Sequence, residues 1–250
     1  SKAGTPMMGG LMFIFGTILC LVGNFPAMSD DSPFYVLALA LCFGLIGFLD
    51  DFTKVKFHRN LGLTTLQKAM LQMAVSALFL YAMYRSGFMD THLYIPFANV
   101  SFQLHPIVYI FFAMFVMVGT DNAVNLTDGV DGLSASLAVV TIGTYLLAYK
   151  TELAEYGTAG VVFMGALLAY LWSNAKPSSL LMGDAGSRAM GFFIAMLSLK
   201  CGHPFAFLLA AIVFIVDGSL GILKISLKRF LHISILKNTL TPLHDHVRKN

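Results

Sequence analysis

The sequence predicts an all-α protein, a bundle of about eight membrane-spanning helices, and composition and segment length are the two main reasons. Of the 250 residues, 57% are hydrophobic and only 12% are charged, whereas a soluble domain carries about 25% charged residues. Apolar segments recur along the chain, several of them close to the length of about 20 residues that a helix needs to cross the hydrocarbon core. With a formal net charge of only +3, the expected surroundings are a lipid bilayer, and no nucleic acid is expected as a partner.

Eight apolar segments can be placed in order along the chain. They cover residues 8–26, 33–49, 66–86, 105–120, 133–149, 157–173, 187–201 and 204–226. Several are short, and the seventh carries the weakest signal for a membrane span. Between the third and fourth segments, apolar and polar side chains alternate around Ala98 and Asn99, which predicts a small β-hairpin within residues 92–104. A chain of this length is expected to form a single integral-membrane domain over residues 1–250.

The distribution of Lys and Arg gives the orientation of the bundle. With eight spans both termini lie on the same side, and that side carries 13 of the 16 basic residues. The other side carries Arg85, Lys150 and Lys200. Because loops rich in Lys and Arg remain in the cytoplasm, the first side is predicted to be cytoplasmic and the hairpin extracytoplasmic. The 13 residues are Lys2, Lys54, Lys56, Arg59, Lys68, Lys176, Arg188, Lys224, Lys228, Arg229, Lys237, Arg248 and Lys249.

Five carboxylates lie where apolar segments end, all on the predicted cytoplasmic side. Asp50 and Asp51 follow the second segment, Asp128 and Asp131 follow the fourth, and Asp184 precedes the seventh. An ionisable residue at a membrane boundary is costly and is therefore a candidate for function. Carboxylate oxygens suit Mg²⁺, which usually takes one or two of them together with substrate phosphates. The pattern predicts metal-assisted chemistry on a phosphorylated substrate.

Each polar segment also has a purely structural interpretation. Asp50 and Asp51 could equally well cap a helix or end a span in solvent. Residues 125–132 favour function, because two glycines and four polar side chains crowd into one short segment. Residues 182–187 could cap the next helix, although the same geometry offers backbone N–H groups to a phosphate. The histidines within residues 242–246 could lie in an ordinary surface loop.

Taken in order, these segments resemble the motifs of the phospho-N-acetylmuramoyl-pentapeptide transferase family. That family is a branch of the polyprenyl-phosphate N-acetylhexosamine-1-phosphate transferases. The matching segments are residues 2–10, 47–51, 122–133, 182–187 and 242–246. They cover nearly the whole chain. The family has ten spans, so the resemblance implies that this chain corresponds to the second to the ninth and is a fragment of a longer protein.

The resemblance implies a reaction and a catalytic set. Phospho-MurNAc-pentapeptide would pass from its UDP carrier to undecaprenyl phosphate at the cytoplasmic face, with release of UMP. Asp184 would bind the Mg²⁺ that bridges the diphosphate. Asp50 or Asp51 would accept the proton of the lipid phosphate or hold that phosphate in place, and the sequence does not choose between them. Lys68 would neutralise phosphate charge.

The resemblance also implies a substrate-binding set and partners. Asn125, Asp128 and Asp131 would hold the uridine and ribose, while His244 and His246 would close the site from the last loop. Lys2 and Asn174 would add further polar contacts to the substrate. The oligomeric state is left open, with a homodimer as one option.

Four residues depart from the family pattern and keep alternatives open. Met7 replaces a common Thr, Leu181 a common Phe, Arg188 an apolar residue, and Asp245 the middle residue of three histidines. These changes leave room for a related enzyme that uses another UDP-aminosugar, or for an inactive scaffold. An ion-coupled transporter is the alternative of a different class, and Asp217 in the last span is the residue most compatible with it.

Overall fold

The computed structural model describes residues 5–24, 32–57, 62–96, 98–236 and 239–249. In these ranges the chain forms ten helices, two short 3-10 turns and one two-stranded sheet. The helices are α1 (Gly10–Asn24), α2 (Ser32–Lys56), α3 (Thr65–Arg85), α4 (Pro106–Thr127), α5 (Leu133–Ala148), α6 (Gly157–Asn174), α7 (Gly183–Lys200), α8 (Phe207–Ala210), α9 (Ile212–Phe230) and α10 (Leu243–Lys249). The predicted class, an all-α membrane bundle, is confirmed, and a helix lies at each of the eight predicted segments.

Length and apolar character divide these helices into two groups. Among the described residues, four helical stretches are long and apolar enough to cross a membrane: Val36–Lys56, Thr65–Arg85, Pro106–Thr127 and Ala154–Asn174. Helices α1 and α5 are apolar but have only 15 and 16 residues. The predicted span over residues 204–226 is not one straight helix, because the chain bends by 87° between α8 and α9. The eight-span count therefore stays a prediction.

Three helices extend beyond the ends of their apolar segments. Helix α2 continues through Asp50 and Asp51 to Lys56, and α4 continues seven residues beyond position 120 to Thr127. Helix α7 begins at Gly183, so Asp184 lies in its first turn. Asp50, Asp51 and Asp121 in these extensions are buried, and each has hydrogen-bond partners on neighbouring helices. An apolar pattern ends where the lipid contact ends, but the helix does not.

Helix α7 forms the centre of the bundle, although its segment carried the weakest signal for a span. Every residue from Ala185 to Leu199 is buried, and the helix packs against α1, α2, α4 and α5. Small residues in its first half allow close helix packing, as is common in membrane bundles. Aromatic rings pack around its second half. The ring centroids of Phe192 and Phe43 are 4.5 Å apart, and those of Phe193 and Phe163 are 4.4 Å apart.

The outer surface of the bundle is rich in large apolar side chains. Phe115, Leu147 and Trp172 are examples, with exposed fractions of 76%, 82% and 92%. Soluble monomers rarely expose contiguous apolar surface on this scale. A hydrocarbon environment accounts for it, because lipid tails solvate such side chains without cost.

The predicted hairpin is confirmed and lies at one end of α7. Strands β1 (His92–Ile95) and β2 (Val100–Gln103) pair antiparallel. The N–H of Tyr94 donates to the carbonyl of Gly202, just beyond α7, at 3.0 Å. Asp184 is at the other end of this 18-residue helix, about 27 Å away at 1.5 Å per residue. The hairpin and Asp184 therefore lie at opposite ends of the bundle.

Candidate functional site

Three carboxylates converge where the C-terminal part of α2 meets the N-terminus of α7. One oxygen from each of Asp50, Asp51 and Asp184 lies within 4.8 Å of the other two. Asp50 and Asp51 are buried, whereas the side chain of Asp184 is 21% exposed. The Oδ2 of Asp51 accepts the backbone N–H of Asp184 at 2.8 Å, which ties the first turn of α7 to α2. These three residues could hold a metal ion, and Asp184 is the one most open to a substrate.

A glycine allows the two helices to approach this closely. Gly47 lies one turn before Asp51 on α2, and its Cα faces the backbone of Asp184 and Ala185. A Cβ at this position would lie 2.6 Å from the N of Ala185 and would also overlap the carbonyl of Asp184. Only glycine fits without moving α7. The glycine in the 47–51 segment is thus part of the site's construction.

Two lysines neutralise the acidic cluster. The Nζ of Lys54 lies 2.6 Å from Asp50, 3.3 Å from Asp51 and 3.7 Å from Asp184. The Nζ of Lys68 lies 2.8 Å from Asp50 and 3.2 Å from Asp184. Asp50 therefore lies between two cations, which compensates for the cost of burying its charge. Both lysine side chains keep partial exposure, 26% and 21%.

Local structure at the start of α3 brings Lys68 into position. Thr64 caps the helix: its hydroxyl accepts the N–H of Gln67 at 3.2 Å, and the Gln67 side chain accepts the N–H of Thr64 at 2.9 Å. The N–H of Leu63 donates to Asp50 Oδ1 at 2.6 Å. This capping box and the contact to α2 fix the first turn of α3 against the cluster. Lys68 was predicted as a phosphate-binding residue, and it lies beside the carboxylates.

Sequence reasoning missed Lys54. Its three carboxylate contacts make it as central as Lys68. The available signal was its spacing, three and four residues after Asp51 and Asp50, which places all three on one face of a helix. That signal was lost because α2 was predicted to end at residue 49. A helix that continued to Lys56 would have exposed the pairing.

Asn125 connects α4 to the cluster. Its Nδ2 donates to Asp184 Oδ1 at 3.2 Å and to Ser187 Oγ at 2.8 Å. Both oxygens of Asp184 thus have partners, one toward Asn125 and the other toward the lysines. Of the predicted site residues, the structure gathers Asp50, Asp51, Lys68, Asn125 and Asp184 into one cluster.

The next three predicted residues bind neighbouring loops. Asp128 caps α4, and Asp131 Oδ2 accepts the N–H of Ser178 at 3.3 Å. Asn174 is buried; it accepts the N–H of Gly132 at 2.9 Å and donates to the carbonyl of Leu180 at 2.8 Å. These contacts join the α4–α5 connection to the α6–α7 connection. The two connections are thereby held together beside the cluster. The predicted contacts of these residues to uridine and ribose stay predictions.

His244 packs against the α4–α5 connection, and an acidic residue of α9 holds its ring. Its Nδ1 lies 2.7 Å from Oδ2 of Asp217, and its backbone N–H donates to Oδ1 at 2.9 Å. The ring's Nε2 lies directly against Gly129, where a Cβ would overlap it. Asp217 therefore pairs with His244. This pairing accounts for an acid in the last span without an ion pathway.

The remaining predicted residues lie farther out. His246 is partly exposed and accepts the N–H of Leu240 at 3.4 Å. Asp245 pairs with Arg248 at 3.0 Å and lies 3.9 Å from His244 Nε2. Lys2 lies outside the described residues, as do two basic residues used for the orientation, Arg59 and Lys237.

An apolar cavity of about 590 Å³ adjoins His244, between α9, α10 and the start of α5. Apolar side chains line most of it: Val130, Leu133, Ile212, Val213, Val216, Leu243 and Val247. The polar lining consists of Asp217 and His244 together with two cations, Lys176 and Arg248. The cavity can accommodate an apolar chain close to a cationic rim.

Comparisons with known proteins identify a family. Residues 33–202 match glycosyl transferase family 4. A protein of Lactobacillus delbrueckii subsp. bulgaricus is 37% identical, over 98% of this chain and 76% of its own length. Proteins of Clostridium perfringens and Staphylococcus carnosus are 38% and 36% identical, over 98% of this chain and 76% and 77% of their own lengths. All three are named phospho-N-acetylmuramoyl-pentapeptide-transferase.

Proposed function

The chain belongs to glycosyl transferase family 4, and we propose that it transfers phospho-MurNAc-pentapeptide from its UDP carrier to undecaprenyl phosphate in peptidoglycan synthesis. UMP is the second product. The observation that carries the proposal is the joining of Asp184 to two lysines and Asn125 at the end of a membrane bundle. Carboxylates and lysines at one point suit a substrate whose phosphates need both a metal ion and cations.

Mg²⁺ is the proposed cofactor, and the donor set fits it. The available ligands are hard carboxylate oxygens, and Asp50 and Asp51 are already engaged by lysines and backbone N–H groups. Asp184 would hold the ion together with the donor's phosphates. When bound, Mg²⁺ would stabilise the charge that develops on the diphosphate as the bond to the leaving UMP breaks.

The buried aspartates hold the charged groups around Asp184 in place. Asp50 fixes the ammonium groups of Lys54 and Lys68, and Asp51 fixes the backbone of Asp184. Contact with the lipid phosphate requires Lys54 to turn away, because neither carboxylate is exposed. Whichever of the two then takes the proton or orients the phosphate, the released lysine can follow the phosphate charge.

The substrates are assigned to different sides of the cluster. The apolar cavity beside His244 can take the first part of a polyprenyl chain, with Lys176 and Arg248 near its phosphate end. The α4–α5 connection, with Asp128 and Asp131, is the proposed wall for uridine and ribose. The transporter alternative is not favoured, because Asp217 is paired with His244.

The proposed orientation places the acidic cluster at the cytoplasmic face of a bacterial plasma membrane. Glu152, between α5 and α6, and Lys56, at the end of α2, are exposed and lie at opposite ends of the bundle. A cysteine at Glu152 should react with an impermeant thiol reagent added to intact cells, and one at Lys56 should react only after lysis. The parent chain, with its three native cysteines, is the control. The reverse pattern would put the cluster outside and contradict the reaction.

Release of UMP tests the function directly. The purified protein should release UMP from UDP-MurNAc-pentapeptide only when undecaprenyl phosphate and Mg²⁺ are both present. A panel that includes other UDP-aminosugars distinguishes the proposed donor from a related one. If no donor gives UMP release, or if release does not require the lipid, the proposal is contradicted. A preference for another UDP-sugar would change only the identity of the donor.

A further inference from the structure

A buried ion pair joins α4 to α7 directly beside the acidic cluster. Arg188 was predicted to lie in a cytoplasmic connection, but it lies in the second turn of α7 and is 2% exposed. Its Nη1 is 2.7 Å from Oδ2 of Asp121 on α4, which is fully buried. Its Nη2 is 3.9 Å from Oδ2 of Asp184. One guanidinium therefore lies between an inner carboxylate and the most accessible carboxylate of the site.

Neighbouring residues fix the inner carboxylate. The side-chain amide of Gln72 on α3 donates to the same Oδ2 of Asp121. Asn122 in turn donates to Gln72 Oε1 at 3.2 Å. Gly191 packs against the backbone of Asp121, where a Cβ would lie 2.8 Å from its Cα. Asp121 is held by three helices, so its partner Arg188 is held as well.

Arg188 differs in this respect from the two lysines of the cluster. Lys54 and Lys68 are partly exposed, on flexible stems that can follow an incoming phosphate. The Arg188 side chain is 3% exposed and has a buried counter-charge that it cannot leave without cost. The lysines can move away from a cation bound at Asp184, because their side chains reach solvent. Arg188 stays in place, because moving away would leave the buried Asp121 without its counter-charge.

We propose that Arg188, held in place by Asp121, keeps a positive charge beside Asp184 and thereby weakens metal binding there, so that the donor's phosphates are needed for tight binding. Arg188 is a positioning residue in this scheme, and Asp121 is the counter-ion that restrains it. The guanidinium lies 3.9 Å from Asp184 Oδ2, so a metal ion held by that carboxylate would be repelled appreciably even at an effective dielectric constant near 20. The inference rests on the proposed function, because it concerns the metal site of that reaction.

Direct metal binding tests the inference with two variants of opposite expected sign. In Asp121→Asn/Arg188→Met, both charges are removed and the nearer one is the cation, so Mn²⁺ should bind the purified protein about fivefold more tightly. In Asp121→Asn alone, Arg188 loses its restraint and can pair with Asp184, so Mn²⁺ should bind more weakly than in the parent chain. The signal of free Mn²⁺ in electron paramagnetic resonance gives both dissociation constants without any turnover.

Opposite shifts separate the electrostatic role from general loosening, which would weaken binding in both variants. Lys200→Met is the matched control, because it removes a cation from the far end of the same helix, and it should leave Mn²⁺ affinity unchanged. Arg188→Lys keeps a cation beside Asp121, so it should bind Mn²⁺ more weakly than the double variant does. Equal affinities in all variants, or weaker binding in the double variant, would overturn this inference alone. No Mn²⁺ binding by the parent chain would overturn it together with the proposed metal site.

Discussion

Asp184→Asn should lower the rate of UMP release by about 10³-fold or more while the protein stays folded. The substitution keeps the size of the side chain and its contact with Asn125, but it removes the charge proposed to hold Mg²⁺. A metal ion supplies several kcal/mol of charge stabilisation in such reactions, and each 1.36 kcal/mol corresponds to tenfold in rate. The measurement is UMP release over a range of Mg²⁺ concentrations.

The matched control is Asp90→Asn, the same chemical change at an exposed carboxylate beside the hairpin, at the far end of the bundle. It should keep most of the activity. Thermal unfolding in detergent should give similar midpoints for both variants and the parent chain. Near-normal turnover of Asp184→Asn at every Mg²⁺ concentration would make Asp184 only a helix-terminal residue, and the site assignment would be wrong.

The polar motifs of the site could be predicted because they interrupt an apolar sequence. Asp50, Asp51, Asn125 and Asp184 stand out in the chain, and the alternation of charged connections places them on one side. The structure brings them together within hydrogen-bonding distance or close to it. The sequence could not show that Asp50 and Asp51 are buried within α2, because an apolar window ends at the first charge even when the helix continues.

The central helix shows the limit of hydropathy. A helix that faces lipid must be apolar, whereas one surrounded by protein can carry small and polar residues. Helix α7 contains Gly186, Ser187 and Arg188 in its first turns, and all three are buried. Its weak signal for a span therefore reflects its central position. Amphipathic or apolar periodicity identifies the periphery of such a bundle better than its core.

Charge pairs between distant segments could not be predicted from the sequence. Asp121 pairs with Arg188 across 67 positions, and Asp217 with His244 across 27. Either acid alone resembles an ion-binding residue in a membrane segment, and Asp217 suggested a transporter for that reason. Each becomes a structural counter-charge only once its partner is located. The apparent departure at Arg188 is thus accompanied by a buried acid on the facing helix.

Gly47→Ala should reduce activity by about a hundredfold and lower stability, although it adds only a single methyl group. The new Cβ would lie 2.6 Å from the N of Ala185 and overlap the carbonyl of Asp184. These are backbone atoms, so the start of α7 must move away from α2. Overpacking of this kind costs about 1–3 kcal/mol, and a displacement near 1 Å at a catalytic group can cost about 10² in rate.

Gly165→Ala on α6 is the control for this last substitution. Apart from its chain neighbours and the backbone of its own helix, no heavy atom of the described residues lies within 4 Å of a Cβ there. It should leave both UMP release and the unfolding midpoint close to those of the parent chain. If Gly47→Ala behaves like Gly165→Ala, α2 and α7 can separate without loss of function. The 2.8 Å bond from Asp184 to Asp51 would then be dispensable, and the lysines and Asn125 alone would have to hold Asp184 in place.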